Sequence, residues 1–400
     1  MKSNQLNEIY IMRALAIMAV LMVHATGTAV VMFQTAAGST SFDLYNSLNT
    51  LFRFGTPTFI LLSAFVIFYN YYNRPIDSGM IKRFYSRRLM YILVPYFFVS
   101  LGYYWFKQYV YYDWPTFSEF LSTFSFQLLT GSAHAHLYFV FISIQFYLLF
   151  PILLYAFQRY RFLTPYLVII GLAIQWAFVL LNNWYFQVPF KGSWSLSYMA
   201  YFFTGAYIGI YFPKIRGWLT AQDVRGWMPK ISWALIWSIW GAATMFHVYI
   251  WQQNRLFGAP IDSRIFELMW NAQTLTSAIL LFKVAFLIYK YFSWRIINPM
   301  IQLGVVSFGI YLYHPFLLMI GEALWLPSAP LPVAVFIFGY SFAAVLAICW
   351  LGAHLMMKYV PFAWMFVGTG PRVMPFKEHN ESPYHDDEEN TSEPRRSVNS

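Results

Sequence analysis

Residues 9–31 read IYIMRALAIMAVLMVHATGTAVV, an apolar run interrupted by two ionisable side chains, Arg13 and His24. At about 1.5 Å of rise per residue such a helix covers the roughly 30 Å of hydrocarbon in a bilayer. No small-residue cleavage site follows a short core, so the run is expected to stay in the protein as a helix and not to be removed as a signal peptide. Nine further apolar segments lie near 48–70, 89–106, 136–157, 164–182, 194–212, 231–250, 265–291, 300–323 and 331–357. The expected fold is therefore all-α: a polytopic integral membrane protein with about ten transmembrane helices within residues 1–360.

Composition agrees with that expectation. Of the 400 residues only 10% are charged, against about 25% in a soluble domain. Aromatic residues reach 22%, which suits helices that end in Trp and Tyr belts at the headgroups. The net charge of +10 does not indicate nucleic acid as a partner, because the basic residues fall in short gaps between apolar runs. With a cytoplasmic N-terminus, the inner gaps hold Lys82, Arg83, Arg87 and Arg88; Arg159 and Arg161; Lys214, Arg216, Arg225 and Lys230; and Lys290 and Arg295. The outer gaps hold only Lys107, Lys191, Arg255 and Arg264. That asymmetry places both termini in the cytoplasm. Residues 375–400 are polar and acidic in their middle, and are expected to form a disordered cytoplasmic tail.

The single cysteine, Cys349, rules out an internal disulfide framework and reads as a small buried hydrophobe. No His, Asp or Glu group has metal-ligand spacing such as His-Glu-x-x-His, so no metal is expected. No internal repeat is evident, so an inverted-repeat transporter gains no support.

Ionisable and polar side chains inside lipid are costly and each needs a reason. Arg13 and His24 are eleven residues apart, which returns them to nearly the same helical face about 16 Å apart. Arg13 falls near the cytoplasmic mouth, where snorkelling is one reading. His24 lies about 22 Å deep, too far to snorkel; it is either a satisfied core imidazole or a buried general base. Phe52 to Phe59, carrying Arg53, Gly55, Thr56 and Pro57, predicts a distorted helix end. Arg53 is an interfacial anchor or an acceptor contact. Lys82, Arg83, Arg87 and Arg88 either mark topology or hold a polyanionic cytoplasmic ligand, since Arg forks match phosphate oxygens. His136 opens the next helix, with Gln145 two turns deeper. Ser307, Tyr311 and His314 share one helical face and predict a polar stripe turned to the interior.

Together these residues resemble the acyltransferase-3 family of membrane O-acyltransferases, which acylate bacterial surface polysaccharides and other envelope molecules. Arg13-x10-His24 is similar to the family's first-helix motif. The run from Phe54 to Ser63-Ala64-Phe65 resembles its second helix, with Ala64 where Gly is usual. The basic segment to Arg88 and Pro95 resembles its cytoplasmic element, although Tyr91 stands where a second Arg is common. His136-Leu137-Tyr138-Phe139 through Gln145 is similar to a His-Leu-Trp helix, and Ser307-x3-Tyr311-x2-His314 to a motif near the C-terminus.

The resemblance covers most of residues 7–357 and implies an acyl-CoA donor, most often acetyl-CoA, with no permanently bound cofactor. It implies a glycan or lipid-linked glycan acceptor, and a location in the bacterial plasma membrane. Arg13, Arg83, Arg87 and Arg88 would hold the CoA phosphates while the acyl arm threads toward His24. There His24 would deprotonate the acceptor hydroxyl or first take the acyl group itself. His136, Gln145, Ser307, Tyr311, His314 and Arg53 would shape the cavity or steady the acceptor. A separate extracytoplasmic protein could complete the transfer. The competing expectation is an exporter or flippase of a polysaccharide or lipid-linked intermediate, for which buried Arg and His serve equally well.

Overall fold

The computed structural model describes residues 6–33, 40–220, 226–325, 331–371 and 374–377. Among them every regular element is helical, as hydrocarbon demands of a chain whose backbone amides have no water to bond. In chain order these are α1 (Glu8–Phe33), α2 (Thr40–Leu51), α3 (Gly55–Tyr71), α4 (Ser78–Tyr111), α5 (Phe117–Thr130), α6 (Tyr138–Arg159) and α7 (Leu167–Leu181). Then follow α8 (Met199–Leu219), α9 (Trp227–Phe257), α10 (Ser263–Tyr291), α11 (Trp294–Trp325), α12 (Leu331–Tyr359) and the short α13 (Trp364–Val367).

Nine helical spans among the described residues are long and apolar enough to cross a membrane. The tenth expected span, near 194–212, corresponds to α8, which is 21 residues long but is not apolar enough over that length, holding Lys214 and Arg216 besides its Gly, Tyr and Thr. Its polarity has a physical reason: α8 is enclosed by other helices and meets little lipid, with Met199 to Ala206 buried without interruption. α2 and α3 form one span bent through a 3-10 turn at Phe52–Phe54, the predicted distortion. α11 and α1 are central, with 67% and 56% of their spans buried, whereas α9 and α12 at 17% present apolar faces outward.

Small residues let the central helices meet closely, as packing in lipid requires. A Cβ added at Gly304 of α11 would run into the Tyr10 carbonyl of α1. One at Gly205 of α8 would run into the Leu61 carbonyl of α3. The first contact draws the Arg13–His24 helix against the Ser307–His314 helix, and the second seats α3 on α8.

The basic quartet does not lie in a loop. Lys82, Arg83, Arg87 and Arg88 occupy the first turns of the 34-residue α4, whose start is capped by Asp77 accepting from the Met80 amide at 2.7 Å. Near the other end of the chain Lys377 is held against the bundle: its amide donates to Asn298 Oδ1 at 2.7 Å and its ammonium to the Tyr289 carbonyl at 3.0 Å. Residues 378–400 of the expected tail, and Arg225, lie outside the described residues.

Candidate functional site

A cavity of about 720 Å³ opens between α1, α3, α4, α6 and α11. Arg13, Arg87 and Arg88 all line it, and no Asp or Glu does. Among the described residues none of the three arginines makes an ion pair. Three guanidinium groups sharing one recess without a carboxylate leave it strongly positive, the setting in which phosphate oxygens bind. Arg83 is not brought in; it is exposed, with its guanidinium against Gly79 at the start of α4. The far end is formed by Phe59, Phe139, Ser307 and Tyr311.

Immediately beyond Tyr311 lies a group of imidazoles. The His24 ring is 5.1 Å from His314, His314 is 5.6 Å from His136, and His136 is 5.0 Å from His134. Tyr311 touches both regions: it lines the cavity, and its ring lies 5.3 Å from His136 and 6.0 Å from His314. The cavity thus ends at Tyr311, one layer short of His24, and does not run to His24 as the expected donor path requires.

The imidazoles are held by identifiable contacts. His314 lies 3.1 Å from the Ile310 carbonyl through Nδ1, which must carry the proton for that bond, leaving Nε2 as a lone-pair acceptor. The loop bearing His134 and His136 is fixed by Lys107 donating to the Ala133 carbonyl at 2.6 Å and by the Tyr311 hydroxyl donating to the His136 carbonyl. His134 and His136 face each other Nδ1 to Nδ1 at 2.9 Å. Burial, reinforced by nearby Lys107, holds the His134 imidazole down to about 4, so it is neutral at physiological pH. His136 Nε2 and His314 Nε2 are buried without a hydrogen-bond partner. Unsatisfied buried nitrogens are rare in folded proteins, and two of them fall in this one group.

Helix α11 is opened beside this group. Pro315 cannot donate to the Tyr311 carbonyl, and the Tyr103 hydroxyl enters the next rung, donating to the Leu312 carbonyl at 3.1 Å and accepting from the Phe316 amide at 3.1 Å. Tyr103→Phe therefore strands both groups. A loss of about 1–3 kcal/mol is expected, seen as a lower melting midpoint of the detergent-purified protein.

The remaining predicted residues divide. Ser307 lines the cavity, its hydroxyl donating to Gly304 of its own helix at 2.8 Å. Gln145 lines neither of the cavities described here. Its amide donates to the Ser193 carbonyl at 2.7 Å and accepts from the Ser195 amide at 3.0 Å, because the 3-10 turns leading into α8 leave those backbone groups free. Gln145 is therefore a clamp on that connection and not an acceptor contact. Arg53 lies in a separate cavity of about 330 Å³ with Trp251, Trp270, Lys191 and Glu267. Sequence reasoning passed over His134 and Tyr103. The alternation His134-Ala135-His136 was available as a signal for the first; Tyr103 offers none, being one tyrosine among 31.

An all-α polytopic membrane protein with a cationic recess leading to buried imidazoles is the class these features define. The sequence model of the acyltransferase-3 family, described as an acyltransferase domain, matches residues 6–353, and the chain belongs to that family. It is 24% identical over 399 residues to a Staphylococcus epidermidis protein named "Probable poly-beta-1,6-N-acetyl-D-glucosamine export protein", covering 95% of this chain and 99% of that one. A protein of the same name from Staphylococcus aureus strain MSSA476 is 24% identical over 332 residues, covering 80% of this chain and 83% of that one. No solved structure matches.

Proposed function

We propose that this acyltransferase-3 membrane protein moves an acyl group, acetyl by preference, from acyl-CoA to a hydroxyl of an envelope glycan or lipid-linked glycan in the bacterial plasma membrane. The observation that carries the reading is the recess lined by Arg13, Arg87 and Arg88 with no acid among its lining residues. A CoA donor brings several phosphate charges to such a place, and arginine forks pair with them. The donor enters from the cytoplasm, the side the basic residues mark, with both termini on that side.

His24 makes no hydrogen bond among the described residues and sits beside the free Nε2 of His314. In the proposed step His24 takes the proton from the acceptor hydroxyl, and the oxygen attacks the thioester carbonyl. The tetrahedral intermediate collapses with cleavage of the C–S bond. The new ester leaves, and the CoA thiolate recovers the proton from the imidazolium. Because the cavity stops at Tyr311, the thioester reaches His24 only when that ring turns aside. Tyr311 is thus a positioning residue between donor and acceptor spaces.

The names of the staphylococcal relatives favour a second reading, export of a polysaccharide. The two separate in the native host. On deleting the gene, the transferase reading expects the glycan to persist on the surface while losing base-labile esters, which only the wild-type gene restores. Loss of the glycan itself, with the remaining material normally esterified, would put export in its place.

A further inference from the structure

The cavity around Arg53 differs chemically from the arginine-lined recess. Arg53 is half-buried, makes no ion pair among the described residues, and has one hydrogen bond, to Asn49 Oδ1 at 3.2 Å. Its guanidinium carbon lies 4.2 Å from the centre of the Trp251 ring. Arg255 lies over the same ring at 4.3 Å and donates to Asn46 Oδ1 and Asn49 Oδ1. The one carboxylate lining this cavity, Glu267, is bound to Lys191. Two like charges therefore share an indole, and Arg53 has only a neutral amide oxygen as acceptor. Cation–ring attraction offsets part of the cost of desolvating Arg53, and a charge-assisted hydrogen bond from its fork to an anion would offset more of it.

The platform is rigid before any ligand arrives. The Trp251 indole donates to His247 Nε2 at 2.9 Å, His247 Nδ1 meets Gln273 Oε1 at 2.6 Å, and Gln273 donates to the Thr50 and Leu51 carbonyls at 3.0 and 3.1 Å. Trp270 and Tyr198 add aromatic faces, while Ser263 and the Lys191–Glu267 pair add polar edges. A pyranose ring has the matching construction, an apolar C–H face with hydroxyls around its rim. The volume of about 330 Å³ is at the small end of ligand sites, room for a sugar residue and its substituent and not for a long chain. The cavity is also tied to the reacting region, because Asn49, the acceptor for Arg53, donates to the Val23 carbonyl at 2.8 Å, next to His24.

We infer that this cavity holds an acidic sugar residue of the acceptor, a pyranose bearing a carboxylate or a phosphate, with the anion on the Arg53 guanidinium. The inference deepens the proposed transferase reading by naming the class of its acceptor, but its test reads binding alone and so survives failure of that reading.

The detergent-purified full chain is titrated by calorimetry, at constant ionic strength, with glucose, glucuronate, glucose 6-phosphate and inorganic phosphate. Glucuronate or glucose 6-phosphate is expected to bind at least about tenfold more tightly than glucose, the stronger of the two identifying carboxylate or phosphate. Arg53→Ala removes the preference, and Arg53→Lys keeps part of it because the charge remains and the fork is lost. Glucose binding as tightly as its anions overturns the inference without recourse to any variant. So does an Arg53→Ala protein that retains the preference with an unchanged melting midpoint. Inorganic phosphate matching glucose 6-phosphate means an adventitious ion only, and also overturns it.

Discussion

Replacing His24 with alanine lowers acyl transfer by about a hundred- to ten-thousand-fold, the range a positioned proton acceptor contributes. The loss falls on kcat, while the KM for acyl-CoA stays near the wild-type value, because His24 lies beyond Tyr311 and does not line the donor recess. Folding is expected to survive. His24 makes no hydrogen bond among the described residues, where its one ring–ring contact is with His314, so its removal strands no hydrogen-bond partner. Transfer of radiolabelled acetyl groups to a glycan acceptor in proteoliposomes, with the melting midpoint recorded alongside, checks both halves. Near-normal turnover by the variant would remove His24 from the chemistry and leave the family membership without its proposed mechanism.

Combined replacement of Arg13 and Arg88 by alanine produces the opposite kinetic signature. Each arginine that pairs with a phosphate is worth about 1.5–3 kcal/mol, so each loss costs about ten- to a hundredfold in donor affinity. The effect appears in KM for acyl-CoA, with kcat changed little once donor is saturating. Wild-type affinity should also fall with added salt, since charges at an aqueous mouth are screened over about 8–10 Å. Arg83→Ala serves as the internal comparison: it is exposed and outside the recess, so donor affinity should hardly move. Acyl-CoA binding by Arg13→Ala/Arg88→Ala equal to wild type would show that the recess serves another ligand, and the export reading would gain.

These two expectations separate what one dimension of information can say from what it cannot. Arg13 and His24 stand out in the sequence because a charge and an imidazole inside an apolar run are costly wherever the run goes. Ser307, Tyr311 and His314 stand out because helical periodicity alone aligns them. Gln145 was misplaced for a related reason. Its periodicity places it on α6, but whether its amide meets a ligand or a backbone depends on the turns at 191–198, remote in sequence. Arg53 was legible as an interfacial anchor or acceptor contact, and its location in a second cavity was not, because that cavity is made with α9, α10 and the turns at 191–198, all remote in sequence.

By itself, then, the sequence determined the all-α membrane architecture, the helices that carry charge into it, and the family to which the chain belongs. The first two follow from the local cost of putting a residue in hydrocarbon and from spacing along one helix; the family was legible as a resemblance of ordered motifs. Only the tertiary structure decided which charges meet. It gathered Arg87 and Arg88 with Arg13 while leaving Arg83 outside, and brought His24 and His136 each within about 6 Å of His314. It also ended the recess at Tyr311. Those outcomes depend on close approaches such as Gly304 on Tyr10, where the absence of a side chain on one helix sets the distance to another. No pattern along a single helix encodes which partner that glycine will meet.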